Sequence, residues 1–231
     1  MSHIQFKRVI MEEVTINLDR PNKAAFTHIV DEIKQGKVIA IPTDTVYGLA
    51  TSIKSDTNIK RIFEIKQRDE RKAIPVLVNS IDMAKSIAKI SKSEMEIIQK
   101  VWPGPISILF VKRKKVSNVL TSGKDTIVLR IPNDKFLNIL LNLINEPITA
   151  TSANISGENS FTNPEDLIAR FKKEKSQPDI VVKVVSNIQK QRKNKPSTLI
   201  AIVGKGRDTT VSILREGCVS EEELLNILNN K

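Results

Sequence analysis

Three small polar side chains stand directly after a short apolar run in the first quarter of the chain. The run occupies residues 38–41, and PTDTVYG at 42–48 follows it with Thr43, Asp44 and Thr45. A β-branched apolar run of this length is typical of a strand buried on both faces, and the proline ends its ladder of hydrogen bonds. We therefore expect these hydroxyl and carboxylate groups at a strand end, where they can bind a ligand. An ordinary turn after a buried strand is the alternative interpretation.

A second polar segment, TSANISGENSFT, covers residues 151–162. It holds Ser152, Asn154 and Ser156 and has no charged residue before Glu158. Hydroxyl and amide groups in such a loop can donate hydrogen bonds to a nucleotide or an amino acid. The same composition is also common in loops without a ligand.

Basic side chains form the third chemically suggestive group. KQRDERK at residues 66–72 follows a helical pattern, and its cations suit either the negative end of the helix dipole or a phosphate clamp. In the second interpretation, Lys66 and Arg68 offset the charge of a triphosphate and stabilise departing pyrophosphate. Arg130 lies in the apolar run at 127–131, so it requires a buried anionic partner or a ligand.

Hydrophobic periodicity predicts the elements that position these groups, in an α/β arrangement. Residues 1–20 are expected to be an N-terminal extension or an edge strand, and residues 21–231 one domain. We expect Trp102 in the core, KRKK at 112–115 at a solvated tip, and disorder at 189–196. Helices are predicted over 22–36, 58–68, 81–90, 93–101, 134–144, from 164 and from 221, and strands over 38–41, 75–78, 106–111, 127–131, 148–150, 180–185, 197–203 and 210–215.

Composition limits the classes of function. The 231 residues are 40% hydrophobic and 4% aromatic, and the net charge of +11 favours acidic partners such as nucleotides, phosphates or RNA. One cysteine excludes an internal disulfide, and two distant histidines, His3 and His28, argue against a zinc site. Without a membrane-length apolar run or a signal-peptide core, we expect a cytoplasmic protein, with an organellar location left open.

Seven segments occur in the order seen in one known family: PTDTVYGLA, FEIKQRDERKAIPVLV, WPGPIS, VLRIP, TSANISG, STLIAI and LREG. The chain therefore resembles the YrdC family, the threonylcarbamoyl-AMP synthases, from about residue 22 to residue 228, and looks most like the family's short single-domain form. The resemblance implies a twisted mixed sheet with flanking helices and a basic concave cavity.

The resemblance also implies a reaction. L-threonine, bicarbonate and ATP would give threonylcarbamoyl-adenylate and pyrophosphate, in a nucleotidyltransferase step that uses Mg²⁺ with ATP. A downstream threonylcarbamoyl transferase complex would then pass the group to an adenosine in tRNA. In this chemistry the carbamate of threonine is the nucleophile, so positioning and charge neutralisation supply most of the catalysis.

Site residues follow from positions that match the family pattern. Lys66 and Arg68 match the K-x-R pair and are expected to be catalytic. The positions implied for L-threonine are Thr43, Arg130, Ser152 and Ser197. Those implied for ATP are Lys66, Arg68, Lys72, Ser107, Asn154, Thr162 and Arg215. No protein ligand to a metal is expected.

Several positions depart from the family pattern. A glycine-rich turn is replaced by KVVSN at 183–187. Ala73 and Glu216 stand where the family has proline, and Ala201 stands where it has an acidic residue. Two alternatives to the enzyme stay open, the first because of the net positive charge and the second because of these departures. One is a non-catalytic module that binds tRNA or double-stranded RNA, with strongly salt-dependent affinity. The other is an interaction subunit that has lost catalysis.

Overall fold

The computed structural model describes residues 11–187, 194–204 and 206–229. Its strands are β1 Glu12–Asn17, β2 Ile39–Ile41, β3 Gly48–Ala50, β4 Val76–Leu77, β5 Ala88–Lys89, β6 Ile106–Lys112, β7 Thr126–Arg130, β8 Ile148–Thr149, β9 Thr151–Ser152, β10 Ile180–Val185, β11 Thr198–Val203 and β12 Thr210–Arg215. Its helices are α1 Lys23–Lys34, α2 Asp56–Lys66, α3 Ile81–Ile87, α4 Lys92–Val101, α5 Asn118–Thr121, α6 Lys135–Ile144, α7 Pro164–Phe171 and α8 Glu221–Asn229.

The strands form two mixed sheets. The first has five strands in the order β1-β10-β2-β3-β9, parallel from β1 to β2 and antiparallel from β2 to β9. The second runs β12-β11-β6-β7-β4-β8, with β5 added beside β6. An isolated bridge between Ser52 and Ile148 connects the two. The buried run of β2 is fully inaccessible to solvent, as its unbroken apolar sequence predicts.

Local capping explains where the helices begin. Asn22 accepts a hydrogen bond from the amide of Ala24 at 2.9 Å and starts α1. Asp134 does the same for α6, and Ser220 with Glu223 forms the predicted capping box before α8. The apolar faces that follow these caps cover the sheets, with α1 and α6 packing together over the first sheet.

The predicted α/β fold class is confirmed, with local differences. Residues 12–17 form the edge strand β1 of the first sheet, while the proposed division between an extension and a domain stays a prediction. The helix predicted over 81–90 ends at Ile87, because residues 88 and 89 pair with β6 instead. Most of the segment predicted to be disordered, 189–193, lies outside the described residues.

One predicted surface group is buried. Lys112 was expected at a solvated tip, but it is only 9% exposed. Its ammonium donates to the carbonyl of Val116 at 3.3 Å, to Asn118 Oδ1 at 2.5 Å and to Thr121 Oγ1 at 3.1 Å. The unpredicted helix α5 supplies two of these acceptors, so the prediction for Lys112 was wrong because a helical turn folds over it.

Trp102 was expected in the core, and this prediction is confirmed. The indole is 7% exposed, donates to the carbonyl of Ile106 at 2.7 Å and packs edge-on against Phe110. Among the helices of the described residues, none is both long enough and apolar enough to cross a membrane.

Candidate functional site

A cleft opens between the two sheets. The first sheet contributes the turn after β2 together with β3 and β9, and the second contributes residues of β4, β6, β7 and β12. The cleft encloses about 660 Å³ of empty space, part of it open to solvent. Seven of the eleven site residues predicted from the sequence line it: Thr43, Arg68, Ser107, Arg130, Ser152, Ser197 and Arg215. The remaining four, Lys66, Lys72, Asn154 and Thr162, are not part of its lining.

The hydroxyl of Thr43 is fully used inside its own turn. It donates to the carbonyl of Val46 at 2.7 Å and accepts from the amide of Thr45 at 3.1 Å. Its oxygen also lies 3.0 Å from the hydroxyl of Thr45. Because Thr43 has a single proton and gives it to Val46, the Thr45 hydroxyl must be the donor in this contact. Thr45 also lines the cleft, and its hydroxyl oxygen can accept a hydrogen bond from a ligand but cannot donate one.

Arg130 finds its anionic partner in Asp44. Arg130 Nη1 lies 2.6 Å from Asp44 Oδ1, and the side chains are 6% and 7% exposed. This contact joins the turn after β2 in the first sheet to the end of β7 in the second. The sequence required a partner for an arginine in so apolar a strand, and the pair with Asp44 supplies one.

The pair is incomplete on both sides. Asp44 Oδ2 is fully buried and accepts no hydrogen bond from the described residues. The Nε and Nη2 atoms of Arg130 likewise have no partner among the described part of the chain, and Arg130 lines the cleft. These two nitrogens form the edge of the guanidinium that binds a carboxylate with two parallel hydrogen bonds.

Two further arginines line the cleft, Arg68 from the segment after α2 and Arg215 from the end of β12. Arg68 is held by the carbonyls of Lys72 at 3.2 Å and Ala73 at 3.0 Å. Arg215 donates to the carbonyl of Ser197 at 2.8 Å. Burial lowers the pKa of both guanidiniums, and the charge of Arg215 contributes to the lowered pKa of Arg68. The two cations are thus close enough to repel each other, which favours an anion between them.

Two serines connect neighbouring strands across the cleft. The hydroxyl oxygens of Ser107, on β6, and Ser197, just before β11, are 2.8 Å apart. The parallel pairing of β11 with β6 brings them together. One of the two hydroxyls donates in this contact, so the other keeps its proton for a ligand.

Lys66 lies behind the cleft, at the end of α2, and is 1% exposed. Its ammonium donates to the carbonyl of Ser152, to the carbonyl of Asn154 at 2.9 Å and to Asn154 Oδ1 at 3.0 Å. Burial first, and then the charge of Arg68, lower the pKa of Lys66 to about 7. The ammonium thus binds three oxygen acceptors, at the end of β9 and in the polar loop that follows it.

Asn154 completes the same network. Its amide nitrogen donates to the carbonyls of Ile155 at 2.9 Å and Glu158 at 2.7 Å, and its Oδ1 also accepts from the Ser152 hydroxyl at 2.6 Å. The predicted binding loop is therefore ordered by its own side chains and by Lys66. Of this group, Ser152 reaches the cleft.

The other two predicted ATP positions lie outside the lining. Lys72 is exposed, and its carbonyl accepts from Arg68. Thr162 is half-buried. Their predicted contacts with ATP stay predictions.

Sequence reasoning underrated two residues of the site. It placed Asp44 and Thr45 at a strand end but included neither among the positions for L-threonine or ATP, whereas Asp44 pairs with Arg130 and Thr45 lines the cleft. The requirement of Arg130 for an anion was the available signal for Asp44. The remaining lining residues form apolar and backbone walls: Val46, Tyr47, Gly48, Pro75, Val76, Leu77, Ala150, Thr151 and Pro196.

Within the described residues, no group of three or more His, Cys, Asp or Glu side chains is placed to hold a metal ion. The cleft instead offers cations and hydroxyls, with the Asp44 carboxylate paired to Arg130 behind its lining. This inventory suits an anionic ligand that carries hydrogen-bonding groups.

Comparisons with known proteins identify the family of this chain. Residues 31–217 match the Sua5/YciO/YrdC family, which is described as "Telomere recombination". A threonylcarbamoyl-AMP synthase of Pyrococcus abyssi is 36% identical over 140 residues, which are 60% of this chain and 41% of that protein. A putative threonylcarbamoyl-AMP synthase of Methanocaldococcus jannaschii is 29% identical over 206 residues, or 89% of this chain and 92% of that one.

A solved structure shows the same fold. The crystal structure of P. abyssi Sua5 complexed with L-threonine superposes with a TM-score of 0.80 at 28% identity. The match covers 94% of this chain and 61% of that one, so the chain spans less than two thirds of the length of both P. abyssi proteins. With a family match over residues 31–217, most of its length, the chain belongs to the Sua5/YciO/YrdC family.

Proposed function

We propose that this protein is an L-threonylcarbamoyladenylate synthase, an enzyme that transfers the adenylyl group of ATP to the carbamate of L-threonine. One observation carries the proposal: three arginines, Arg68, Arg130 and Arg215, converge on a cleft with hydroxyl groups and a single carboxylate partner. The similarity to a threonylcarbamoyl-AMP synthase, to a putative one and to a protein solved with L-threonine supports it.

L-threonine binds at the Arg130 side of the cleft. The free Nε and Nη2 edge of Arg130 takes the carboxylate, and Ser152 and Ser197 lie on the same cleft surface. Thr45 offers an acceptor for a donor on the amino acid. The Thr43 hydroxyl reaches the substrate only if it leaves one of its present partners.

ATP binds on the side of Arg68 and Arg215. The two guanidiniums repel each other in the free protein, so phosphate oxygens that enter between them stabilise both charges. Ser107 lies beside Ser197 and donates to the nucleotide. We propose that Mg²⁺ enters on the phosphates themselves, because the described residues offer it no cluster of carboxylates.

The reaction needs no nucleophilic side chain. Bicarbonate and the threonine amine condense to a carbamate with loss of water, a carbamate oxygen attacks the α-phosphorus, and pyrophosphate departs with its bond electrons. The residues of the cleft hold the reactants together and offset the charge that accumulates on the leaving group.

Lys66 stays a predicted phosphate contact and catalytic group. Because its three donors hold the loop at residues 152–154, phosphates must compete with three oxygen acceptors to draw the ammonium forward. Lys66 therefore couples nucleotide entry to the loop that carries Ser152 and Asn154.

The product is a mixed anhydride that water hydrolyses, so a transferase must accept it promptly. We propose that a threonylcarbamoyl transferase complex acting on tRNA is this consumer. Direct contact of the chain with tRNA or double-stranded RNA is an additional proposal that its net charge of +11 supports.

Pyrophosphate release tests the function. Purified protein with ATP, Mg²⁺ and bicarbonate should release pyrophosphate only when L-threonine is added. Lys66→Ala should lose this activity while it remains folded by circular dichroism. Release that is independent of threonine would contradict the proposal. No turnover, together with RNA binding that weakens steeply with salt, would favour the RNA-binding module.

A further inference from the structure

Asp44 is a buried carboxylate that no part of the reaction uses directly. Its side chain is 7% exposed, one oxygen is bound to Arg130 at 2.6 Å, and the other has no hydrogen-bond partner among the described residues. A buried carboxylate oxygen without a partner is costly, so a group that retains one needs a physical reason.

The geometry of Arg130 provides that reason. Asp44 binds Nη1, which lies on the opposite side of the guanidinium from the Nε and Nη2 edge. A single strong contact at Nη1 fixes the rotation of the plane and leaves the carboxylate-binding edge unoccupied. Asp44 comes from the first sheet and Arg130 from the second, so the contact also sets how the guanidinium is presented across the cleft.

From these contacts we infer that Asp44 is a positioning residue that holds Arg130 in the orientation that binds the carboxylate of the amino-acid substrate. The identity of that substrate rests on the proposed function. The positioning itself is a property of the free protein. Asp44 touches no substrate, since its exposed area is small and its free oxygen is fully buried.

The chain contains a matched control. Asp179 forms a second pair of the same residue types with Arg61, away from the cleft lining, and both of its oxygens are bound. Asp44→Asn and Asp179→Asn each remove one negative charge without changing side-chain volume. Both variants weaken a buried ion pair, and only the first disturbs Arg130.

The first measurement uses the free protein. The ¹⁵Nε–¹H signal of Arg130, identified by its absence in Arg130→Lys, should be that of a rigid side chain in the wild type and in Asp179→Asn. In Asp44→Asn it should show the averaged shift and fast internal motion of a free arginine. An Arg130 signal that is unchanged in Asp44→Asn would overturn the inference, whatever the substrate is.

The second measurement is calorimetric binding of L-threonine. Asp44→Asn should bind about tenfold more weakly, as expected for loss of one charge-assisted contact that orients a binding group, and Asp179→Asn should bind as the wild type does. In turnover, the KM for threonine should rise and the KM for ATP should not. Equal or tighter threonine binding by Asp44→Asn would overturn the inference, because Asp44 would then compete with the substrate for Arg130.

Two outcomes remain distinguishable. If the wild type neither binds threonine nor turns over, the proposed function fails, and the ¹⁵Nε signal still decides whether Asp44 positions Arg130. If Asp44→Asn does not fold, Asp44→Ser, which admits water beside Arg130, takes its place in both measurements with the same expected results.

Discussion

Two aspartate–arginine pairs of this protein are alike in composition and different in completeness. The scaffold pair, Asp179 with Arg61, joins α2 to the start of β10, and the cleft pair, Asp44 with Arg130, joins the two sheets. In the scaffold pair Asp179 Oδ1 accepts from Arg61 at 2.8 Å, while Oδ2 accepts from Arg61 and from the amide of Val38 at 2.8 Å. In the cleft pair Asp44 Oδ2 has no hydrogen bond from the described residues.

The difference in hydrogen bonding indicates that the scaffold pair serves stability and the cleft pair serves ligand binding. A buried ion pair offsets its desolvation only when further hydrogen bonds satisfy the remaining polar atoms, and the scaffold pair meets that condition. The cleft pair leaves polar atoms unused on both partners, and one partner lines a cavity. The Nε and Nη2 donors of Arg130, which folding does not use, are therefore available for a ligand in the cleft. The comparison predicts that damage to the scaffold pair reduces stability and damage to the cleft pair reduces binding.

The largest expected effect is on stability. Asp179→Ala should lower the free energy of unfolding by about 3 kcal/mol, because it leaves Arg61 without its carboxylate. This value is at the lower end of the range for broken buried ion pairs, because Arg61 is partly exposed. Asp44→Ala should lower it by about 1 kcal/mol, because removing an unsatisfied buried oxygen offsets part of the lost ion pair. Urea unfolding measures both. A larger loss for Asp44→Ala would reverse the comparison.

The next effect is on activity. Arg130→Gln should reduce kcat/KM for threonine by about a hundredfold, since it removes a charged group that contacts the substrate and leaves Asp44 unpaired. Arg61→Gln should keep kcat/KM within about twofold of the wild type at a temperature where both are folded. Initial rates of pyrophosphate release measure this. Equal losses in the two variants would show that Arg130 acts only through the fold.

The pH dependence of stability should arise from Lys66, behind the cleft. The pKa of Lys66 is about 7 in the folded protein, below that of a lysine in the unfolded chain. Between these values the unfolded state binds more protons, so stability rises with pH from about 7 upward, by about 1.4 kcal/mol per pH unit at most. Below about pH 7 both states are protonated and the contribution is constant.

Urea unfolding at about pH 7 and pH 8.5 tests this assignment. Lys66→Met should abolish the rise in stability between these pH values. Lys112→Met, a change at another buried lysine, should lower stability at both pH values and leave the rise between them unchanged. A rise that persists in Lys66→Met would place its origin elsewhere in the molecule.

The smallest effect concerns Thr45. Thr45→Val should raise the KM for threonine by about fivefold, because it removes one neutral hydrogen-bond acceptor from the cleft, and Thr45→Ser should restore most of the affinity. The thermal midpoint of Thr45→Ser serves as the control for folding. If the KM for threonine is unchanged in Thr45→Val, the Thr45 hydroxyl contacts only Thr43 and does not bind the substrate.

The comparison also explains what the sequence could predict. Local patterns predicted β2 and its polar turn, the caps at Asn22 and Ser220, and an anionic partner for Arg130. The partner itself, Asp44, lies 86 residues away in sequence, and no local pattern encodes a contact over that distance. Lys66 and Lys112 show the same limit, because tertiary folding decides whether a lysine points at solvent, at a ligand or into a cage of carbonyls.

The nucleotide product tests the central claim most directly. The protein should be incubated with ATP, Mg²⁺, L-threonine and ¹³C-bicarbonate, and the nucleotides analysed by mass spectrometry. The account predicts a new adenylate with the mass of threonylcarbamoyl-AMP plus one labelled carbon, absent without threonine and strongly reduced in Arg130→Gln. Formation of AMP or ADP alone, or an adenylate without the label, would contradict it.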